Sequence, residues 1–159
     1  MFSGGVGIER ITVGLISDTH GLLRPEVASA LKGCSMILHA GDVGEGVLDK
    51  LQRISTTVAV RGNTDRWPWG AKLHLTERVQ IHNWTFHVVH DLASFPTVPQ
   101  DTQVVVHGHS HRWSCIEENG IWYVNPGSAG PRRFNLPITL GIAVIEGSQI
   151  RFERIDIEA

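Results

Sequence analysis

The stretch Ile11–Ser17 is almost wholly apolar and rich in β-branched residues, and it breaks off abruptly into Asp18-Thr19-His20-Gly21. A run of this kind is a strand buried on both faces, and such strands belong to parallel sheets covered by helices. The construction then repeats. Pro25 marks a first helical turn, Val27, Ala28, Ala30 and Leu31 make one apolar stripe, and Gly33 closes the helix. Met36–His39 is a second short apolar run, ending at Gly41-Asp42. A second helix is predicted over Val47–Ile54, with Val47, Leu48, Leu51 and Ile54 on one face, and a third strand over Thr57–Val60 ends at Gly62-Asn63. Strand, helix, strand, helix, strand with short connections implies parallel strands joined by right-handed crossovers.

Beyond Asp65 the periodicity changes. Arg66-Trp67-Pro68-Trp69-Gly70 reads as a loop, and β-rich runs follow at Arg78–His82, Trp84–His90, Gln103–His107, Arg112–Glu117, Ile121–Val124, Thr139–Ile145 and Gln149–Ile155. Turn signals separate several of them, at His82-Asn83, Glu118-Asn119-Gly120 and Glu146-Gly147-Ser148. Little helix is visible after Ile54. The expected architecture is therefore α/β, with the second half supplying a second sheet that packs on the first: a four-layer αββα sandwich of two mixed β-sheets flanked by helices.

A chain of 159 residues fits one domain, 1–159, with residues 1–10 expected as a flexible tail. At 42% hydrophobic it can bury a core without disulfides or a structural metal, so any metal would serve chemistry. The net charge of −2, with no basic run, argues against an extended nucleic-acid partner. Cys34 and Cys115 have no second cysteine at ligand spacing and read as free thiols of a reduced compartment. Neither a charged-then-apolar leader nor an apolar run near the ~18 residues of a membrane span is present. A cytoplasmic protein with no membrane partner is expected, its homo-oligomeric state left open.

Histidine is the unusual entry, with nine residues, several of them crowded between His87 and His111. Each predicted strand end carries a cation-binding side chain: Asp18 and His20, Asp42, Asn63, His90, His109 and His111. Ligands of α/β sheets gather at the carboxyl ends of parallel strands, so these donors can share one crevice. Carboxylate, amide oxygen and imidazole together suit Mn, Fe, Zn or Ni. Seven donors exceed one tetrahedral site and suggest two ions sharing a bridging carboxylate. Gly41, Gly62 and Gly108, each just before a donor, permit tight turns or close backbone approach. Taken singly, Asp42 or His20 would be a turn or surface residue; the ordered set gives the signal. His39 and His107 read as satisfied core residues that support the site, and His74, His82 and His87 as ordinary.

These motifs, namely Asp18-Thr19-His20, Gly41-Asp42, Gly62-Asn63-Thr64-Asp65, His90 and Gly108-His109-Ser110-His111, resemble those of the calcineurin-like metallophosphoesterases. Asn125-Pro126-Gly127-Ser128 with Pro131-Arg132 resembles the small, single-domain YfcE-type phosphodiesterase branch. The match runs in order from Ile11 to about Arg133. The resemblance implies that Asp18, His20 and His111 hold one divalent ion and Asn63, His90 and His109 a second, with Asp42 bridging and Mn foremost among the candidate metals. It implies hydrolysis of a small phosphodiester by a metal-bridging hydroxide without a phosphoenzyme, with Asp42, Asn63 and His90 as catalytic residues. Where many members have His after the Asn, and this branch commonly Cys, the chain has Thr64, which is no general acid at neutral pH and favours diesters or activated esters. Asp91 replaces a usual Gly and reads first as a turn residue, second as an orienter of an imidazole. Asp65 is expected to orient a loop of the site, and Arg132, or Arg61, Arg66 or Arg133, to meet substrate phosphate. Trp67 and Trp69 are expected in a packed or interface loop. The alternative to a hydrolase is a non-catalytic scaffold of the same fold, like the retromer subunit, which loses part of the ligand set that this chain keeps. A nuclease or phosphoprotein phosphatase is disfavoured, since neither a basic groove nor a post-Asn histidine is present.

Overall fold

The computed structural model describes residues 9–66, 68–95 and 97–158. Most of the expected tail thus lies outside the described residues, while Arg10 already belongs to a strand. In chain order the elements are β1 (Arg10–Ile16), α1 (Pro25–Leu31), β2 (Met36–His39), α2 (Val47–Ile54), β3 (Thr57–Ala59), β4 (Thr76–Ile81), β5 (Trp84–Val89), β6 (Val104–Val106), β7 (Trp113–Glu118), β8 (Ile121–Pro126), β9 (Ile138–Glu146) and β10 (Gln149–Ile157). Short 3-10 turns stand at Gly70–Lys72 and Leu92–Ser94.

Two mixed five-stranded sheets result, ordered β10-β9-β1-β2-β3 and β4-β5-β6-β8-β7. The parallel β1-β2-β3 unit is as its three apolar runs require, with Leu15 beside Leu38 and His39 beside Ala59. The second sheet has its own parallel centre, β5-β6-β8, with β4 and β7 added antiparallel at the edges. One expectation is corrected: the last hairpin does not join the second sheet but returns to the first, where β9 pairs antiparallel with β1. The reason is burial. Eight of the nine residues of β9 are buried, so it fits only inside a sheet covered on both faces, whereas β10 carries Arg151, Glu153, Arg154 and Asp156 and suits a charged edge.

The layers follow from side-chain alternation. Val13, Leu15, Leu38, Phe86, Val88, Val104, Val106, Val124 and Ala143 meet between the sheets. The opposite face of the first sheet, with Ile16, Ile37, Leu140 and Val144, is covered by Val27 and Leu31 of α1 and Val47 and Leu51 of α2. Neither helix start has a side-chain cap, so apolar burial, at roughly 1.5–3 kcal/mol per large side chain, holds the helices in place. On the outer face of the second sheet the cover among the described residues is thin: the Leu92–Ser94 turn and Phe95, whose ring lies 5.7 Å from that of His87. Among the described residues no helix is long and apolar enough to cross a membrane.

Leu38→Ala, which empties a fully buried position between the sheets, is expected to lower unfolding free energy by about 2–5 kcal/mol. Ile116→Ala, at an exposed position, should change it by less than about 1 kcal/mol. Urea denaturation of both variants measures the contrast.

Candidate metal centre

The loops that follow β1, β2, β3, β5 and β6 meet at one rim of the sandwich. Asp18, His20, Asp42, His109 and His111 all have positive φ, between 47° and 77°, in the left-handed region that non-glycine residues avoid. Strain of about 1–3 kcal/mol per residue persists only where neighbours over-determine the backbone. Here they do so in three ways. The β1 and β2 loops are tied by Asp18 N–H to Gly41 O (3.0 Å), His20 N–H to Asp42 O (2.9 Å) and Gly21 N–H to Val43 O (2.9 Å). Asp65, buried, accepts the backbone N–H groups of Val43, Gly44 and Gly62 at 2.9–3.1 Å and clamps the β2 loop to the β3 loop. Asn125, also buried, donates to Gly108 O and Ser110 Oγ at 3.0 Å each, while Ser128 Oγ donates to Asp18 O at 3.0 Å. At Gly62 any Cβ would collide with the Asp42 carboxylate, and at Gly108 with Ser17 Oγ and the Asp18 carboxylate, so glycine is required there by close approach.

Each carboxylate is anchored by one oxygen and presents the other. Asp18 Oδ2 accepts Ser17 Oγ–H (2.7 Å) and His109 N–H (3.2 Å), leaving Oδ1 buried without a hydrogen-bond partner. That oxygen lies 3.4 Å from His111 Nε2 and 3.7 Å from His20 Nε2. Asp42 Oδ1 accepts Thr64 N–H (2.9 Å), and its Oδ2 stands 3.3 Å from His90 Nε2 and 3.7 Å from His20 Nε2. His90 Nδ1 is 2.8 Å from Ala40 O; a carbonyl only accepts, so Nδ1 carries a proton and Nε2 faces the centre. Around Nε2 gather Asn63 Oδ1 at 3.0 Å and His109 Nδ1 at 3.3 Å. All seven donors expected from the sequence are thus neighbours. Their ligand atoms form two sets, Asp18-His20-His111 and Asp18-Asp42-His90, within each of which every atom lies within 4.8 Å of the others, and Asn63 and His109 adjoin the second.

Lone pairs crowded this closely repel unless cations lie among them. The carboxyls respond accordingly. Burial alone would raise Asp18 and Asp42, but the neighbouring imidazoles, His20 beside Asp18 and His90 beside Asp42, together with the hydrogen bonds from Ser17 Oγ–H and Thr64 N–H, hold both below the ordinary carboxylate range. His90 runs the other way: burial disfavours its charge, yet Asp42 and Asp18 outweigh that and raise its pKa. The orphaned Asp18 Oδ1 and His20 Nε2, both buried, are atoms that a divalent ion would satisfy. Hard oxygen and imidazole donors without thiolate fit the borderline divalent ions named from the sequence.

The remaining expectations divide. His39 is a satisfied core residue: its Nδ1 accepts Gly41 N–H (3.1 Å) and its Nε2–H donates to Thr19 Oγ1 (2.9 Å), whose own hydroxyl donates to Val43 O. Burial pushes its pKa down to about 3 and that of His107 down to about 4. Asp91 is a turn residue, its Oδ1 accepting Ala93 N–H at 3.0 Å. Thr64 is exposed and serves Asp42 through its backbone. Arg132 is exposed and one of its guanidinium nitrogens donates to Leu136 O (3.1 Å) within its own loop, and the neighbouring Arg133 contributes positive charge near His111. Trp69 is half-buried and packs with Leu73 against the helix-side core, and Trp67 lies outside the described residues. The sequence reading gave no structural task to Ser17, Asn125 or Ser128. The Asn125–Ser128 motif was the available signal for the latter two, but its hydrogen-bond partners are distant in the chain.

A model of the calcineurin-like phosphoesterase superfamily domain matches residues 11–148. A probable metallophosphoesterase of Methanothermobacter thermautotrophicus is 28% identical over 162 residues, spanning 90% of this chain and 91% of the relative. Among solved structures, an archaeal phosphodiesterase aligns with a TM-score of 0.76 at 19% identity, covering 92% of this chain and 100% of the other. Vps29 of Chaetomium thermophilum gives 0.74 at 20%, covering 92% and 97%. The E. coli phosphoesterase YfcE gives 0.69 at 21%, covering 93% and 100%. Identities this low show the shared fold.

Because folded His39 stays neutral down to about pH 3 while the unfolded imidazole protonates near 6.5, the unfolded chain binds the extra proton between those values. The contribution is full above about pH 6.5 and is lost as pH falls toward 3, at a slope of up to about 1.4 kcal/mol per pH unit. Denaturation of wild type and His39→Asn between pH 7 and 4.5 should show the variant losing less stability over that window.

Proposed function

The chain belongs to the calcineurin-like phosphoesterase superfamily, and from that premise we propose that it is a binuclear metal-dependent phosphodiesterase acting on small phosphodiesters. The observation that carries the reading is the convergence of seven donors at one rim, with buried, partnerless atoms of Asp18 and His20 among them. Asp18, His20 and His111 would hold one divalent ion and Asn63, His90 and His109 the other, with Asp42 between the two sets and Mn the first candidate. Divalent ions so bound supply Lewis acidity, neutralising phosphate charge and making water acidic enough to attack phosphorus at neutral pH.

The protein's own groups set what can react. Asp42, fixed by Thr64 N–H, directs its free oxygen toward both sets of imidazoles, and His90, fixed by Ala40 O, keeps its Nε2 toward the centre. Substrate would thus enter a preorganised array that needs little rearrangement on binding. Thr64 supplies a backbone donor, and an aliphatic hydroxyl cannot protonate a departing alkoxide at neutral pH, which favours diesters with good leaving groups. Cytoplasmic residence is part of the same proposal. The likeness to Vps29 favours a second reading, a non-catalytic scaffold of this fold. The complete donor set supports the enzyme over it.

Mn-loaded protein is expected to hydrolyse bis(p-nitrophenyl) phosphate, to lose that activity on chelation, and to fall in kcat by at least about 100-fold in Asp42→Asn. Undiminished turnover by the variant would remove Asp42 from the mechanism, and turnover by no form would favour the scaffold. Mn at about 100 times its Kd should stabilise the fold by about 2.7 kcal/mol, read as a rise in Tm that the chelator reverses.

A further inference from the structure

We propose that Arg61 is a specificity residue that binds a second phosphate on the substrate, in a cavity leading outward from the Asn63-His90-His109 side of the centre. This rests on the phosphodiesterase reading above and narrows its substrate class to small diesters whose retained alcohol carries a further phosphate. The cavity has a volume of about 400 Å³ and is lined by Arg61, Asn63, Leu75, His90, Asp91 and His109, among others. That is the lower range of small-molecule sites, and it leaves room beside the ligand residues for one compact ester group.

Arg61 is held where such a group would lie. It precedes Gly62-Asn63 directly, its backbone N–H donates to His74 O at 2.8 Å, and the adjacent Gly62 N–H is fixed by Asp65. The residue is half-buried and, among the described residues, makes no ion pair and no side-chain hydrogen bond, and it lines the cavity beside Asn63 and His90. Asp65 in the same wall offers it little, since both carboxylate oxygens already accept backbone N–H groups. Asp91 is the other charge at the cavity, and one of its oxygens is engaged by Ala93 N–H. A half-buried arginine whose guanidinium has no partner among the described residues, beside phosphoester chemistry, suits a phosphate by charge and by its forked donors. Leu75, 60% exposed, gives the same cavity an apolar wall for the carbon atoms linking the two phosphates.

The test uses the full chain loaded with Mn and two esters with one leaving group, ethyl p-nitrophenyl phosphate and 2-phosphoethyl p-nitrophenyl phosphate. Wild type should favour the second in kcat/KM by about tenfold or more, mainly through KM, the size expected of a hydrogen bond between charged groups. Arg61→Gln should collapse that ratio toward one, Arg61→Lys should keep a reduced preference, and Arg154→Gln, at the distant β10 edge, should leave it unchanged. Pyrophosphate should likewise inhibit wild type more tightly than phosphate does, with the difference shrinking in Arg61→Gln. Turnover of both esters without preference, or a preference that survives Arg61→Gln, overturns the assignment of Arg61 and leaves the phosphodiesterase reading standing. Turnover of neither ester by wild type overturns that reading itself.

Discussion

The centre is governed by a repulsion. Two buried carboxylates, an amide oxygen and four imidazoles are brought within a few ångströms, where two like-charged carboxylates share one small space and several ring nitrogens and oxygens converge. Such an arrangement cannot arise from local preference, since five of the residues also occupy backbone conformations that cost free energy. It exists because the rest of the fold holds it, and the same crowding is what a divalent cation would relieve.

The holding structure is a division of labour between the two sheets. The inter-sheet core brings two parallel centres, β1-β2-β3 and β5-β6-β8, to a common rim, so that loops from both deliver donors. Polar residues then fix the loops to one another. Asp65 joins the β2 and β3 loops, Ser128 reaches back to Asp18, and Asn125 secures the loop carrying His109 and His111. His39 lies beneath, neutral and fully hydrogen-bonded, where a charged imidazole would lose its acceptor for Gly41 N–H. Each of these groups is buried, so removal of any one leaves partners unsatisfied in a place water does not reach.

Function in this chain is therefore distributed between atoms that would meet an ion and atoms that never could. Asp18 shows both in a single side chain, with one oxygen spent on Ser17 and His109 N–H and the other kept free. Asp42 repeats the pattern with Thr64 N–H. The departure at Thr64 consequently leaves the scaffolding role intact, because that role uses the backbone, and alters only the chemistry a side chain could have supplied.

Much of this was legible in the residue order. β2 and α2 fall where their apolar patterns place them, and the donors stand at the ends of strand-like runs because parallel sheets put ligands there. The destination of β9 was not legible, since a continuous apolar strand is equally at home in either sheet and only the pairing with β1 decides it. Nor could spacing show that Arg132 donates to Leu136 O, a contact that depends on the turn closed by Leu136 N–H and Arg133 O. The sequence by itself determined the kinds of atoms available and the strand ends that carry them, because hydrophobic periodicity and side-chain chemistry are local properties. Which oxygen is anchored, which is free, and which arginine faces the cavity were decided by tertiary structure alone, because those outcomes depend on hydrogen bonds between residues far apart in the chain.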